Sequence, residues 1–246
     1  MKRILVVAIV LGLAVLAVPS AMACDGDGHK VINPDSVAYG RTYSEWSAAW
    51  EQWADSIPVA EHPLFDNGDC SVGQSGPVWF LGGKFCPNVG PGCSYTGVVR
   101  SCSVPSGKAL YFPVFNGEDS ALEESLAEHP GDESYQQIVG LRSFEDVSMS
   151  PSKVSLWVDG APIPHLQDGF RVQSTAFGFT LPTDNLFKSI YGNPNFLAGT
   201  YFPAVDDGWY VMLSPLPAGP HRIHFSGYNP VYNFTLDVTY NLTVGK

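Results

Sequence analysis

Basic side chains are scarce in this chain: 13 Lys and Arg stand against 24 Asp and Glu in 246 residues, a formal charge of −11. A surface of that sign repels nucleic acid and anionic lipid, which argues against both as partners. The motifs of several large enzyme classes are also missing. There is no Gly-x-Ser-x-Gly, no His-Glu-x-x-His, no Walker-type glycine loop and no Gly-x-Gly-x-x-Gly. Cysteines number five, and none stand at the Cys-x2–4-Cys spacing of a zinc site. After the N-terminal segment no apolar run reaches membrane-spanning length. Disorder is excluded by composition, since 45% of the residues are hydrophobic.

What is present begins with Met1-Lys2-Arg3, an apolar run from Ile4 to Val18, and Pro19-Ser20-Ala21-Met22-Ala23 directly before Cys24. A basic start, a short apolar stretch and an Ala-x-Ala site read as a secretory signal peptide over residues 1–23, with export to the periplasm or the extracellular space. The rival reading, a retained membrane anchor, lacks a basic stop-transfer flank. Cleavage before Cys24 raises the alternative of a lipid-tethered outer-surface lipoprotein, although Ala21 stands where such signals carry Leu. Removal of Lys2 and Arg3 leaves 11 basic and 24 acidic side chains, a formal charge of −13. It also leaves Cys70, Cys86, Cys93 and Cys102, an even set that implies two disulfides in an oxidising compartment. Three pairings are open. The Gly/Pro-rich loop from Cys86 to Cys93 favours 86–93 nested inside 70–102.

The N-terminal region, 24–150, reads as mixed α and β. Thr42-Tyr43-Ser44-Glu45 is a capping box, and Trp46, Trp50 and Trp53 follow at i, i+4 and i+7, with Pro58 closing an amphipathic helix. The tryptophan stripe is a core contact before it is a sugar-stacking platform. Val78–Leu81 and Lys108–Phe115 are continuous apolar runs that read as buried strands. Residues 119–129 and 132–146 read as helical, with Asp132 as N-cap. From 151 to 246 strands dominate, at Val154–Val158, Phe170–Leu181, Gly208–Leu213, His221–Phe225 and Phe234–Val244, with a short helix near Thr183–Tyr191. Alternation is clearest where Phe234, Leu236, Val238, Tyr240 and Leu242 share a face. The expected architecture is mainly β, an antiparallel sandwich with jelly-roll character, an N-terminal helix and short helical insertions. Region 151–246 forms the sandwich, alone or as one domain with the preceding region.

Four motifs carry a resemblance: Trp46-x3-Trp50, Gly76-Pro77-Val78-Trp79-Phe80-Leu81, Arg100-Ser101-Cys102-Ser103-Val104-Pro105-Ser106-Gly107-Lys108-Ala109-Leu110-Tyr111-Phe112-Pro113, and Leu213-x2-Leu216-Pro217-Ala218-Gly219-Pro220-His221. On these the chain resembles an uncharacterised group of secreted bacterial proteins to which no activity is assigned. The resemblance implies export and a β-rich fold and says nothing about chemistry.

Three clusters could carry chemistry. Oxygen-rich Glu118, Asp119 and Glu123 at a strand end suit calcium, the one cofactor the sequence admits. The competing reading is a helix first turn whose acids complement the dipole. Asp206-Asp207-Gly208, beside Trp209 and Tyr210, offers two carboxylates for glycoside hydrolysis, but neighbours on an extended chain point apart and Asp-Asp-Gly reads first as a turn. His221 and His224 fall on opposite faces of a strand, which disfavours joint ligation. The leading expectation is therefore an exported non-catalytic protein that binds a ligand such as a glycan, stacked on Trp157, Trp209 or Tyr210, or that packs against a protein partner in the envelope. The alternative is a secreted hydrolase whose carboxylates, Glu118, Asp119, Asp206 and Asp207, converge only in the fold.

Overall fold

Thr42 caps the first helix as its capping box requires. Its hydroxyl accepts from the Glu45 backbone N–H, and the Glu45 carboxylate accepts from the Thr42 N–H at 2.8 Å. The computed structural model describes residues 30–85, 87 and 94–245. The signal peptide, Cys24, Cys86 and Cys93 lie outside them, and so does the 86–93 pairing. Helix α1, Tyr43–Asp55, lays Trp46, Trp50 and Trp53 on a sheet as core contacts, and each indole N–H reaches a backbone carbonyl, of Ala38, Leu81 and Val72 respectively.

The strands are β1 (Val78–Phe80), β2 (Tyr95–Val104), β3 (Ala109–Ser120), β4 (Lys153–Val158), β5 (Ala161–Pro162), β6 (Arg171–Gln173), β7 (Phe177–Leu181), β8 (Gly199–Leu213), β9 (Gly219–Asn229) and β10 (Phe234–Val244). The helices after α1 are α2 (Ala121–Glu123), continued by a π-helical turn over Glu124–Glu128, then α3 (Ile138–Met149), α4 (Leu166–Gly169) and α5 (Leu186–Tyr191). The first sheet runs β1-β3-β8-β6 with β7 also on β8, and the second runs β2-β10-β9-β4-β5. The fold is mainly β and sandwich-like. Both sheets are mixed rather than purely antiparallel, because β1 pairs parallel to β3 and β2 parallel to β10. Strands from both sides of residue 150 pair within each sheet.

The unbroken apolar run in β3 follows from its position. One face of the first sheet packs against the second sheet, through Phe112, Val114, Val211, Phe225 and Val238. The other face lies under α1, with Tyr111, Tyr210 and Met212 against Trp46, Trp50 and Trp53. A strand covered on both faces needs apolar residues at every position, whereas β10 shows the alternation of a strand covered on one. Full burial of a side chain such as Phe112 stabilises by about 1.5–3 kcal/mol. Among the described residues no helix is long and apolar enough to cross a membrane.

The structure corrects the turn expected at Asp206-Asp207-Gly208. These residues lie in the middle of β8, opposite Glu118, Gly117 and Asn116 of β3. Gly208 is there for close approach: a Cβ on it would lie 2.5 Å from the Phe115 carbonyl oxygen and 2.6 Å from the Asn116 Cα. Gly208→Ala is therefore expected to destabilise by about 1–3 kcal/mol through strand separation. A chemical-denaturation midpoint unchanged by the substitution would show that β3 and β8 part freely.

Candidate functional site

The register of β3 on β8 assembles the site. Glu118 stands opposite Asp206, Gly117 opposite Asp207 and Asp119 opposite Val205. With a side-chain period of two, Glu118 and Asp206 share the face under α1, while Asp119 and Asp207 share the other, where α3 packs. α1 adds Glu51 and Asp55, α3 adds Glu145, and the segment after β3 adds Glu123 and Glu124. All five are buried, as are Asp119, Asp206 and Asp207.

On the α1 face, Asn116 Nδ2 donates to Glu51 Oε1 at 2.7 Å and to Asp206 Oδ1 at 3.0 Å, and the Tyr210 hydroxyl donates to Asp206 Oδ1 at 2.8 Å. Glu51 and Asp206 also share a hydrogen bond, so one of them carries a proton. Burial, then the neighbouring Asp206, pushes Glu51 well above the carboxylate range. Burial lifts Asp206 to about 7, against the pull of the Asn116 and Tyr210 donors. Glu118 pairs in the same way with Glu123. Burial and then Glu123 raise Glu118 strongly. Glu123 is lifted to about 7 by burial, restrained by Glu118 and by the Ser120 and Tyr191 hydroxyls.

On the α3 face, Asp207 is held by Arg171 in a two-point ion pair, Nε to Oδ1 at 2.8 Å and Nη2 to Oδ2 at 2.9 Å, and by Gln173 Nε2 at 2.9 Å. Asp119 shares a hydrogen bond with Glu124, which also meets His129 Nδ1 at 2.5 Å. Burial, then Glu123 and Glu124, lifts Asp119 to about 10. Glu145, like Asp55 of α1, has no such partner among the described residues. It is 4% exposed and makes no hydrogen bond to the described residues, and its Oε2 lies where a side chain on Gly117 would begin. Burial, then the nearby Asp206 and Asp207, pushes it well above the usual range.

Glu145 lies at the floor of a cleft of about 620 Å³. Glu118, Asp119 and Glu128 reach the same space, and Phe115, Phe144, Met149, Ile190, Tyr232 and Phe234 supply much of its apolar wall. The sequence-level candidates divide accordingly. Glu118 and Asp119 line the cleft, whereas Glu123, Asp206 and Asp207 are buried outside its lining. Among the described residues, which include the calcium candidates Glu118, Asp119 and Glu123, no group of three or more His, Cys, Asp and Glu is arranged to hold a metal ion.

Two of the three stacking candidates are corrected. Trp209, 2% exposed, gives its N–H to the Gln167 carbonyl, and Tyr210, 0% exposed, stacks on Tyr111, so neither offers a face to a glycan. Trp157 is half-buried, with its ring stacked on His224 at 5.2 Å beside a hollow of about 200 Å³. His221 is engaged by Asp159 and the Pro217 carbonyl.

Sequence reasoning missed Glu51, Asp55, Glu145 and Arg171. A signal existed for Glu145, which occupies the stripe position between Leu141 and Met149 at i, i+4, i+8 of α3, where an apolar residue belongs. For Glu51 and Asp55 the signal was the small residues Ser47, Ala48 and Ala54 around them on α1, which allow close approach of neighbours.

No protein-family model matches the chain, and no curated protein matches it. Two solved structures share low similarity. One is PbICP-C in complex with falcipain-2, at 11% identity and a TM-score of 0.24, covering 67% of this chain and 98% of that one. The other is the cysteine protease inhibitor EhICP2 from Entamoeba histolytica, at 10% identity and a TM-score of 0.20, covering 63% and 99%. Likeness at that level carries no argument about this chain.

Proposed function

We propose that this is an exported, non-catalytic binding protein whose ligand seat is the acid-floored cleft between α3, β3 and the turn before β10. The observation that carries the reading is the Glu145 carboxyl, buried at the cleft floor without a hydrogen-bond partner among the described residues. A buried polar group left unpaired destabilises the fold by about 1–3 kcal/mol, and a ligand group that pairs with it recovers that energy. A volume of about 620 Å³ with a mostly apolar wall and a few convergent polar groups suits a small molecule. The Cys70–Cys102 disulfide supports an oxidising compartment, in keeping with the signal peptide expected at residues 1–23. Lipid attachment at Cys24 would place the same cleft at a membrane surface.

The test is a thermal-shift panel on the mature protein with small amphiphiles, glycans, calcium and a chelator, run beside Val231→Trp. Val231 is 56% exposed at the cleft rim, so the bulkier side chain obstructs entry without entering the core. A ligand that raises the melting temperature of the wild type and not of the variant supports the assignment. A shift insensitive to the block, or a flat panel, removes it.

The hydrolase reading draws on one observation, that Glu118 and Asp119 reach the cleft together with Glu145. Carboxyl groups held protonated by burial can act as general acids. Glycan turnover abolished by Asp119→Asn, in a variant that melts like the wild type, would replace binding with catalysis.

A further inference from the structure

Resting on the cleft as the binding site, we infer that its ligand is a small organic cation: an ammonium or guanidinium head on an apolar body, the head against Glu145 and the body along the aromatic wall. Three observations converge. Glu145 is nine-tenths buried and has no hydrogen-bond partner among the described residues, and Gly117 leaves the space its carboxyl occupies. Any side chain at 117 would start 2.5 Å from Glu145 Oε2.

The charge around the cleft is predominantly acidic. Glu118, Asp119 and Glu128 line it with Glu145, and the single basic residue on the lining, Lys84, is tied to Asp66 at 2.5 Å and lies over the Tyr95 ring. Carboxylates in a concave, low-dielectric space concentrate cations and repel anions. The wall also suits a cation. Phe115, Phe144, Tyr232 and Phe234 line it, and the face of an aromatic ring attracts a desolvated cation by about 2 kcal/mol.

The head group replaces a proton. The groups that act on Glu145 are mostly acidic or phenolic: Asp119 from β3, Asp206 and Asp207 from β8, Glu123 and Glu128 from the segment after β3, and Tyr232 from the turn before β10. The nearby cation, Arg171, is engaged by Asp207 and by Asp146 of α3, and Arg142 of α3 donates to the Ser174 carbonyl. Without a ligand the Glu145 carboxyl therefore keeps its proton. An ammonium against it exchanges for that proton, which leaves to the buffer.

Calorimetry with octylammonium, octan-1-ol and octanoate tests the inference, because the three probes share one apolar body. Octylammonium is expected to bind at least about tenfold more tightly than octan-1-ol, and octanoate least of all. The heat for octylammonium is expected to change between two buffers of different ionisation enthalpy, reporting the released proton. Glu145→Gln should bring octylammonium down to the affinity of the alcohol and abolish the buffer dependence. Equal binding of alcohol and ammonium overturns the cation assignment and leaves the cleft as a site. Binding of none of the three overturns both. If Glu145→Gln does not fold, the wild-type ratio of ammonium to alcohol decides.

Discussion

Raising the pH from about 5 to about 8 is expected to lower the melting temperature by roughly 10 °C or more. The cause is the buried acids. A carboxyl whose folded pKa lies above its unfolded value contributes stability that is complete below the unfolded pKa and lost as pH rises through the folded one. Asp206 and Glu123 are lifted to about 7 and Asp119 to about 10, first by burial, and Glu51, Asp55, Glu118 and Glu145 are raised as well. Each proton that the fold keeps and the unfolded chain has released removes about 1.4 kcal/mol per pH unit. Two such protons over about two units amount to roughly 5 kcal/mol, and a chain of this size loses about 2–4 °C per kcal/mol.

His62 acts the other way. Burial lowers it to about 4, so between about 4 and its unfolded value near 6.5 the unfolded chain takes up a proton that the fold refuses. One group gaining stability with pH does not offset several losing it. Melting curves across that range check the expectation, and stability flat or rising with pH would mean that the carboxyls ionise freely in the fold. Glu51→Gln supplies a second check. A glutamine accepts from Asn116 as Glu51 does and donates permanently to Asp206, so the variant should melt higher than the wild type at about pH 8 with a shallower pH profile.

Removing the Cys70–Cys102 disulfide should lower stability by about 4 kcal/mol, which is about 10 °C in melting temperature. The bridge spans a sequence separation of 32 with Cα atoms 6.0 Å apart, and a closed loop of that length restricts the unfolded ensemble substantially. It fixes the segment before β1 to β2, an edge strand of the second sheet, and both cysteines are buried in the core between the sheets. The Cys70→Ala/Cys102→Ala double variant, compared with the wild type under oxidising and reducing conditions, measures the effect. If all four samples melt alike, the loop is already restricted in the unfolded chain.

Much of the fold is legible in local pattern. The capping box and the tryptophan spacing give α1 to within a residue of its observed start, because hydroxyl capping and a 3.6-residue period are properties of short segments. The alternation of Leu236, Val238, Tyr240 and Leu242 gives β10, whose other face carries polar residues. The continuous runs give β1 and β3 but stop short of the end of β3, which continues through Glu118 and Asp119 to Ser120. Acidic residues after an apolar run read as a helix start, and nothing local says that a partner strand extends alongside them. The same limit hides the part of β8 before the strand read at Gly208–Leu213, where Asp206-Asp207-Gly208 has the composition of a turn and the conformation of a strand.

The sequence by itself determined a β-rich chain with one tryptophan helix, a cysteine set that favours the 70–102 pairing without fixing it, and a strong excess of acid. Only the tertiary structure decided where that acid goes. The register that sets Glu118 opposite Asp206, and the packing of α1 and α3 on either face of that pair of strands, bring Glu51, Asp55 and Glu145 to the same ladder. Periodicity specifies which face of an element is buried, since it follows from the backbone repeat. It does not specify which distant element covers that face, and for a carboxyl group the neighbour and the loss of water decide its charge.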